Sequence, residues 1–455
     1  MNTDSRYTGR QLVLLDPDQL NAGAAALYAA MSPNNVLNSA AYGDGAVPPA
    51  QAERADLLLL NDIGVAVVRC DAAKVPGLQA AADTNPAIIA IEPEQVVQLL
   101  AADSALSEAV VAEYLRGYKD AVDHLSATLL KKSPTNSSPG SGQVSFTDDV
   151  LATYGVQAVR AHHSAYTGCN VRIAFLDTGF DRLHPDFAGR NITCQSFVAG
   201  EDATDLNGHG THCVGVGGGG RQLAGGAMRY GCASGCDIYA GKVLGNAGSG
   251  SDSTILAGIN WAVKNGCRVV SMSLGSRVQP GEPYSQIYET VAQRALKSQP
   301  GTILIAASGN DSRDPASGLR RMPASPVSRP ANCPSVLAVG AVDARLALAA
   351  FSNGGSDVEG GGVDVVAPGV NIFSSAPITP ARPDSGNPWP ARYHTLSGTS
   401  MATPYAAGVA ALWLEANPSL SAQDLWKLLT SKARPLLLDS RDIGYGLVQA
   451  PGSPR

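Results

Sequence analysis

Charge is scarce in this chain. Of its 455 residues, 16% are Asp, Glu, Lys or Arg, and the balance is acidic, with a formal net charge of −6. A nucleic-acid partner needs a basic surface, and this balance argues against one. No run of 18 apolar residues occurs, so no membrane-spanning helix is expected. The opening "MNTDSRYTGRQLVLLDPDQL" lacks the apolar core and small-residue cleavage site of a signal peptide. A cytoplasmic protein is therefore the first expectation and export by another route the second. Cys-x-x-Cys pairs are absent, which argues against a structural zinc site. Seven of the eight cysteines fall between Cys169 and Cys333, often inside apolar runs such as "NGCRVV". Buried free thiols are expected there, with Cys232 and Cys236 in "GCASGCD" the pair that oxidation could join.

What is present falls into two unlike halves. In the first hundred residues, "RQLVLLD" (10–16) and "LLLLNDIGVAVVRC" (57–70) read as strands. "QLNAGAAALYAAM" (19–31) and "AAKVPGLQAAAD" (72–83) read as helices, and Pro76 fits only the first turn of the second or a break in it. "AIIAIEPEQVVQLL" (87–100) reads as one or two further strands. This order predicts a small α+β domain, ferredoxin-like. Residues 102–131 carry a helical pattern, and "KKSPTNSSPGSGQ" (131–143) has the composition of an exposed linker. Boundaries are expected at 1–101, 102–145 and 146–455.

Beyond the linker, continuous apolar runs at 170–179, 237–245, 267–275, 301–310 and 335–343 read as strands buried on both faces. Helical patterns at 253–266, closed by Gly266, and at 284–298 lie between them. The expectation is an α/β domain with a mostly parallel sheet and helices on both faces. Sites in such sheets gather at the carboxyl ends of strands, where Asp177 and Asn310 stand.

"SGTSMATPYAAGVAALWL" (397–414) opens small and polar and continues as a helix that is apolar all round. Ser400 would lie beside free N–H groups and the positive end of the helix dipole. It can be an ordinary cap, or a nucleophile with oxyanion donors at hand. Pro404 is expected in the first turn, where its missing donor is not needed. Asp177 in "FLDTGFD" and His209 in "NGHGTHCVG" tip the balance toward the nucleophile. An imidazole can take the hydroxyl proton, and a carboxylate can fix its tautomer.

These segments, "DTG", "HGTH", "AASGN" and "GTSMATP" in that order, resemble the subtilisin-like serine peptidases, the subtilases, over roughly residues 146–450. The resemblance implies a subtilisin-like fold in which Asp177 orients His209, His209 is base and then acid, and Ser400 is the nucleophile. Asn310 would donate its amide to the oxyanion. Ser273, Leu274 and Gly275 would form the peptide-binding edge, and Ala307 and Gly309 would belong to a wall of the specificity pocket, with "RPANCPSV" (329–336) at its base. Arg329 at that entrance is unusual for the family. The first domain would be a propeptide, an intramolecular inhibitor whose strand near Glu92–Leu100 lies toward the groove, with the cut expected in the linker. The implied activity is endopeptidase hydrolysis of polypeptides through an acyl-enzyme by a chain made as a zymogen, with no cofactor required for the chemistry. An esterase or peptide ligase with the same triad and a catalytically silent binding module are the alternatives.

Other signals are structural by expectation. "GVGGGG" (215–220) matches a nucleotide-loop pattern but follows a predicted helix, not a strand. His212 has no third metal ligand nearby, and His184 in "LHPD" reads as structural. Cys213 is expected to pack beneath His209. A calcium site is doubtful: Asp186 is present, but "GGGGRQLAGGAMRYG" offers only Gln222, and calcium takes six to eight oxygens. Tyr405 stands where many relatives have His. Asn136, Asn191 and Asn310 begin glycosylation sequons.

Overall fold

Strands with no polar face need a partner on both sides, and the first domain shows where the second partner comes from. The structure, a computed structural model, describes residues 6–71, 73–100, 145–220, 228–355, 361–378 and 392–452. Its first five strands are β1 (Tyr7–Leu15), β2 (Val36–Asn38), β3 (Leu57–Leu60), β4 (Val65–Arg69) and β5 (Ile88–Leu99). They lie in the order β5-β1-β4-β3-β2, with β1 antiparallel to β5 and β4, and β3 antiparallel to β4. Val13, Leu15, Leu59 and Val68 face Leu27 and Leu78 of the helices Leu20–Met31 and Val75–Thr84. The alternate residues, Leu12, Leu14, Leu58 and Val67, point the other way. They share a core with Ile255, Ile259 and Val291 of the second half of the chain. The small α+β domain is thus docked by its second apolar face. Pro76 sits in the first turn of its helix, and residues 57–70 fold as a hairpin around Asn61–Gly64, Gly64 taking a φ of +68°. The helical extension and linker lie outside the described residues.

The second half is built on β6 (Arg172–Asp177), β7 (Ile192–Ser196), β8 (Asp237–Lys242), β10 (Val269–Met272), β12 (Ile303–Ala307), β13 (Leu337–Val342) and β14 (Val365–Pro368). They form one parallel sheet in the order β14-β13-β12-β10-β6-β8-β7. Two short strands, β9 (Ser249–Ser251) and β11 (Leu274–Gly275), stand outside it and pair with β5 instead. The hairpin β15 (Ile372–Ser375) and β16 (Tyr393–Leu396) completes the strands. On one face, Ile173 and Phe175 pack with the helices His209–Gly218 and Thr399–Ala416. On the other, Ala174 and Leu176 pack with Asp252–Lys264 and Gln286–Lys297. β7, β14, the β15–β16 hairpin and the helix Ala422–Ser431 were not among the expected elements, although that helix opens on a Ser421 cap and buries Ala422, Leu425 and Leu429 along one face. All eight cysteines are free, Cys232 and Cys236 included, and burial pushes both of those thiols up to about 12. Among the described residues no helix is long and apolar enough to cross a membrane.

Candidate active site

Three elements end at one place. β6 delivers Asp177 at its carboxyl end, buried at 2% exposure. The helix His209–Gly218 begins with His209, whose Nδ1 lies 2.8 Å and 3.0 Å from the two carboxylate oxygens of Asp177. Asp205 fixes the start of that helix. Its carboxylate accepts from the N–H groups of Asn207, Gly208 and Thr211 and from the hydroxyls of Thr211 and Thr178. Burial raises the pKa of Asp205, and those donors pull the other way. The Thr178 hydroxyl in turn accepts from Gly210 N–H, tying the turn after Asp177 to the helix of His209. No spacing in the sequence announces Asp205; its role comes from the turn.

Ser400 is the second residue of the helix Thr399–Ala416 and is fully buried. Pro404 lies in the second turn of this helix rather than the first, so the sequence expectation is corrected. Having no N–H, it leaves the carbonyl of Ser400, four residues back, without its helical donor. Two side chains use that carbonyl: Ser273 Oγ donates to it at 2.8 Å and Cys213 Sγ at 3.5 Å. Cys213 Sγ is also 3.7 Å from His209 Nδ1. The thiol therefore packs against the imidazole, as expected, and also against the turn of Ser400.

His209 Nε2 is buried and without a hydrogen-bond partner. The Ser400 hydroxyl is bonded to two carbonyl oxygens, Leu100 at 3.2 Å and Ser273 at 3.3 Å. Asn310 follows β12, and its Nδ2 donates to the same Leu100 oxygen. Its Oδ1 accepts from the N–H of Thr399 at 2.9 Å and its hydroxyl at 3.0 Å. A backbone carbonyl of the first domain thus lies on both the hydroxyl and the amide.

The chain leading to Leu100 explains its position. β5 runs antiparallel to β11, with Leu99 opposite Leu274 and Gln98 opposite Gly275. On its other side it pairs with β9, Val96 through Gln98 facing Ser251 through Ser249. Leu274 and Gly275, expected from the sequence to be a peptide-binding edge, here pair with the chain's own β5. The β9 edge was not anticipated, because "SGS" has neither length nor apolar character to announce a strand. Ser273 contributes differently from expectation: its hydroxyl supports the Ser400 turn, and only its carbonyl faces the site. A Cβ on Gly275 would lie 3.2 Å from Leu100 Cδ1 and 3.2 Å from Ser328 Cβ, so the Leu100 side chain rests where glycine leaves room. Gly309 is held by the Thr399 hydroxyl, and a Cβ there would strike Asn353 and Ser328. Ala307, at the end of β12, is fully buried. Arg329 corrects the expectation at the pocket entrance. Its carbonyl lies beside Gly275, but its guanidinium turns away toward Asp252 and Glu92.

His212 and His184 are structural. His212 Nε2 bonds the carbonyl of Ile372 at 2.9 Å, and burial lowers its pKa to about 3. His184 Nε2 bonds the carbonyl of Arg392 at 2.7 Å. Among the described residues, Asp177, His209 and Cys213 form the one cluster able to share a metal ion. Its carboxylate already binds the imidazole. Burial, then the Asp177 charge, raises the thiol pKa, whereas a metal needs thiolate.

Residues 168–446 match the Subtilase family. The chain is 38% identical over 302 residues to Subtilisin Savinase of Lederbergia lenta, covering 66% of this chain and 96% of that one. It is 34% identical over 341 residues to Subtilisin E of Bacillus subtilis (strain 168), covering 74% and 80%. Among solved structures, a cold-adapted subtilisin-like serine proteinase superposes with a TM-score of 0.52 at 31% identity, covering 66% of this chain and 99% of that one. The parallel sheet, the meeting of Asp177 with His209 and these likenesses agree: the chain belongs to the subtilase family and is a serine endopeptidase.

Proposed function

We propose that Ser400 is the nucleophile, His209 the general base and then acid, Asp177 the group that orients the imidazole, and Asn310 an oxyanion donor. We further propose that the first substrate is the chain itself, at the bond after Leu100. One observation carries this reading: the Leu100 carbonyl oxygen is hydrogen-bonded to both Asn310 Nδ2 and Ser400 Oγ, at the end of a strand held by two edges of the catalytic domain. The proton acceptor in this reading is His209 Nε2, which is buried and without a hydrogen-bond partner. The proton passes to Nε2 as Oγ bonds to the carbonyl carbon of Leu100. Negative charge then develops on the oxygen that Asn310 already contacts, where a preorganised donor is most effective. The imidazolium, held by Asp177, returns its proton to the nitrogen of Ala101, and the C–N bond breaks. Water resolves the acyl-enzyme by the same route reversed.

The first domain would remain as an inhibitor after the cut. Its apolar face is continuous with the catalytic core, and Glu94, fully buried, accepts from Arg10 Nε at 2.6 Å and from Ser253 N–H at 3.0 Å. These contacts do not depend on the bond that is cleaved. A calcium site at Asp186 is not part of the proposal. Its carboxylate accepts the hydroxyls of Tyr230 at 2.8 Å and Tyr393 at 3.0 Å, donors that a cation would have to displace.

Mass spectrometry of the purified full-length chain after incubation tests the reading. The expected product is a fragment ending at Leu100. In Ser400→Ala the chain stays intact, with turnover lower by a factor on the order of 10⁶, the size of the effect in subtilisin. A fragment ending within residues 131–143 would move the cut to the linker and remove Leu100 from its role. Cleavage by Ser400→Ala would remove Ser400 from its own.

A further inference from the structure

Glu92 of the first domain is seated against catalytic-domain groups that the proton relay does not use. Its carboxylate accepts from Ser285 Oγ at 2.6 Å and from Ile287 N–H at 3.2 Å, at the first turn of the helix Gln286–Lys297. Arg329 Nη2 lies 3.4 Å from the same carboxylate and 3.1 Å from Asp252 Oδ2. The guanidinium covers the ring of Tyr288 at 5.1 Å. Arg329 is 8% exposed, and its Nε has no hydrogen-bond partner. Its backbone is fixed beside the groove by two hydrogen bonds exchanged with Ser276, of 2.9 Å and 3.0 Å. Asp252 offsets part of the cation's charge while also accepting from Tyr288 O–H at 3.1 Å and Gln95 N–H at 2.8 Å. A buried guanidinium, a hydroxyl and a helix-terminal N–H that meet at one point form a receptor for a carboxylate.

When the first domain leaves, Ser285 Oγ and the Ile287 N–H lose this acceptor, while Arg329 loses Glu92 and keeps Asp252. A substrate carboxylate placed there would regain the charge-assisted hydrogen bonds that Glu92 makes in the uncut chain. Glu92 stands eight residues before Leu100 (100 − 92 = 8) on one continuous strand. A substrate strand following the same course would bring its own residue at that place to the same donors, roughly 26 Å from the cut at ~3.3 Å per residue. We propose that in the processed enzyme Arg329, Ser285 and the Ile287 N–H form a carboxylate-binding subsite that favours polypeptides carrying Glu or Asp eight residues before the cleaved residue. This rests on the self-processing peptidase reading above.

The test uses the full-length chain after it has processed itself and the released fragment has been removed. kcat/KM is measured on two long peptides that differ only in Glu or Gln at the eighth residue before the cleaved one. A short peptide spanning only the residues opposite Leu274–Gly275 serves as control. The Glu peptide should be favoured on the order of tenfold at low salt. The preference should shrink as salt rises, vanish in Arg329→Gln and fall in Ser285→Ala. Equal kcat/KM for the two long peptides, with the short one cleaved, overturns the subsite. A chain that neither processes itself nor cleaves any of the three peptides overturns the self-processing peptidase reading instead. If Arg329→Gln does not fold, Ser285→Ala carries the test, and an undiminished, salt-independent preference there overturns the assignment.

Discussion

Asn310→Ala removes one donor from the Leu100 carbonyl and one acceptor from the turn that carries Ser400. The two losses act on different quantities. Removing the donor destabilises the developing oxyanion by about 3 kcal/mol, or 10²–10³ in rate, the magnitude found for the same kind of donor in a subtilisin and transferred here. Removing the acceptor leaves the N–H and hydroxyl of the fully buried Thr399 without Asn310 Oδ1, at a cost of about 1–3 kcal/mol of stability. Asn310→Asp separates the effects. Its carboxylate still accepts from Thr399 but turns an oxygen, not an N–H, toward the Leu100 carbonyl. The assay is the rate at which the purified full-length chain loses its first hundred residues, with thermal unfolding followed in parallel. Both variants should slow by a factor on the order of 10²–10³, and Asn310→Ala should also unfold at lower temperature through the loss at Thr399. If Asn310→Asp processed itself within about threefold of the native rate, far inside the expected loss, the oxyanion role would be refuted.

Two further outcomes are expected. A mercurial that reaches Cys213 should abolish activity, because Sγ touches both His209 Nδ1 and the Ser400 carbonyl; Cys213→Ser should resist, and equal sensitivity of the two proteins would place the inhibition elsewhere. Burial raises the pKa of Asp364 from 3.8 to about 7, offset in part by its bond from Ala338 N–H. The folded state therefore holds a proton there that the unfolded chain gives up, so stability is full below about pH 4 and declines as pH rises toward 7. The loss is at most about 4 kcal/mol, measurable by thermal unfolding of Ser400→Ala from pH 4 to pH 8, and Asp364→Asn should flatten that decline; an unchanged slope would exclude Asp364 as its source.

The sequence by itself determined the parts of this protein whose chemistry is local. Asp177, His209, Asn310 and Ser400 sit in short motifs because each needs a strand end or a helix start, and those are set by a few neighbouring residues. The parallel sheet was legible for the same reason: strands buried on both faces must be continuous apolar runs. Only the tertiary structure decided that Leu100 supplies the carbonyl in the site, since nothing at residue 100 distinguishes it until β5 is held between β9 and β11. It likewise set Arg329 against Asp252 and Glu92, because a buried guanidinium goes to carboxylates, and these are distant in the chain. The Ser400 carbonyl became an acceptor for Ser273 and Cys213 because Pro404 could not supply the helical N–H, and those partners come from other elements. Motifs record what neighbours along the chain can fix; hydrogen bonds and charges buried between distant segments are fixed by packing, which no local pattern encodes.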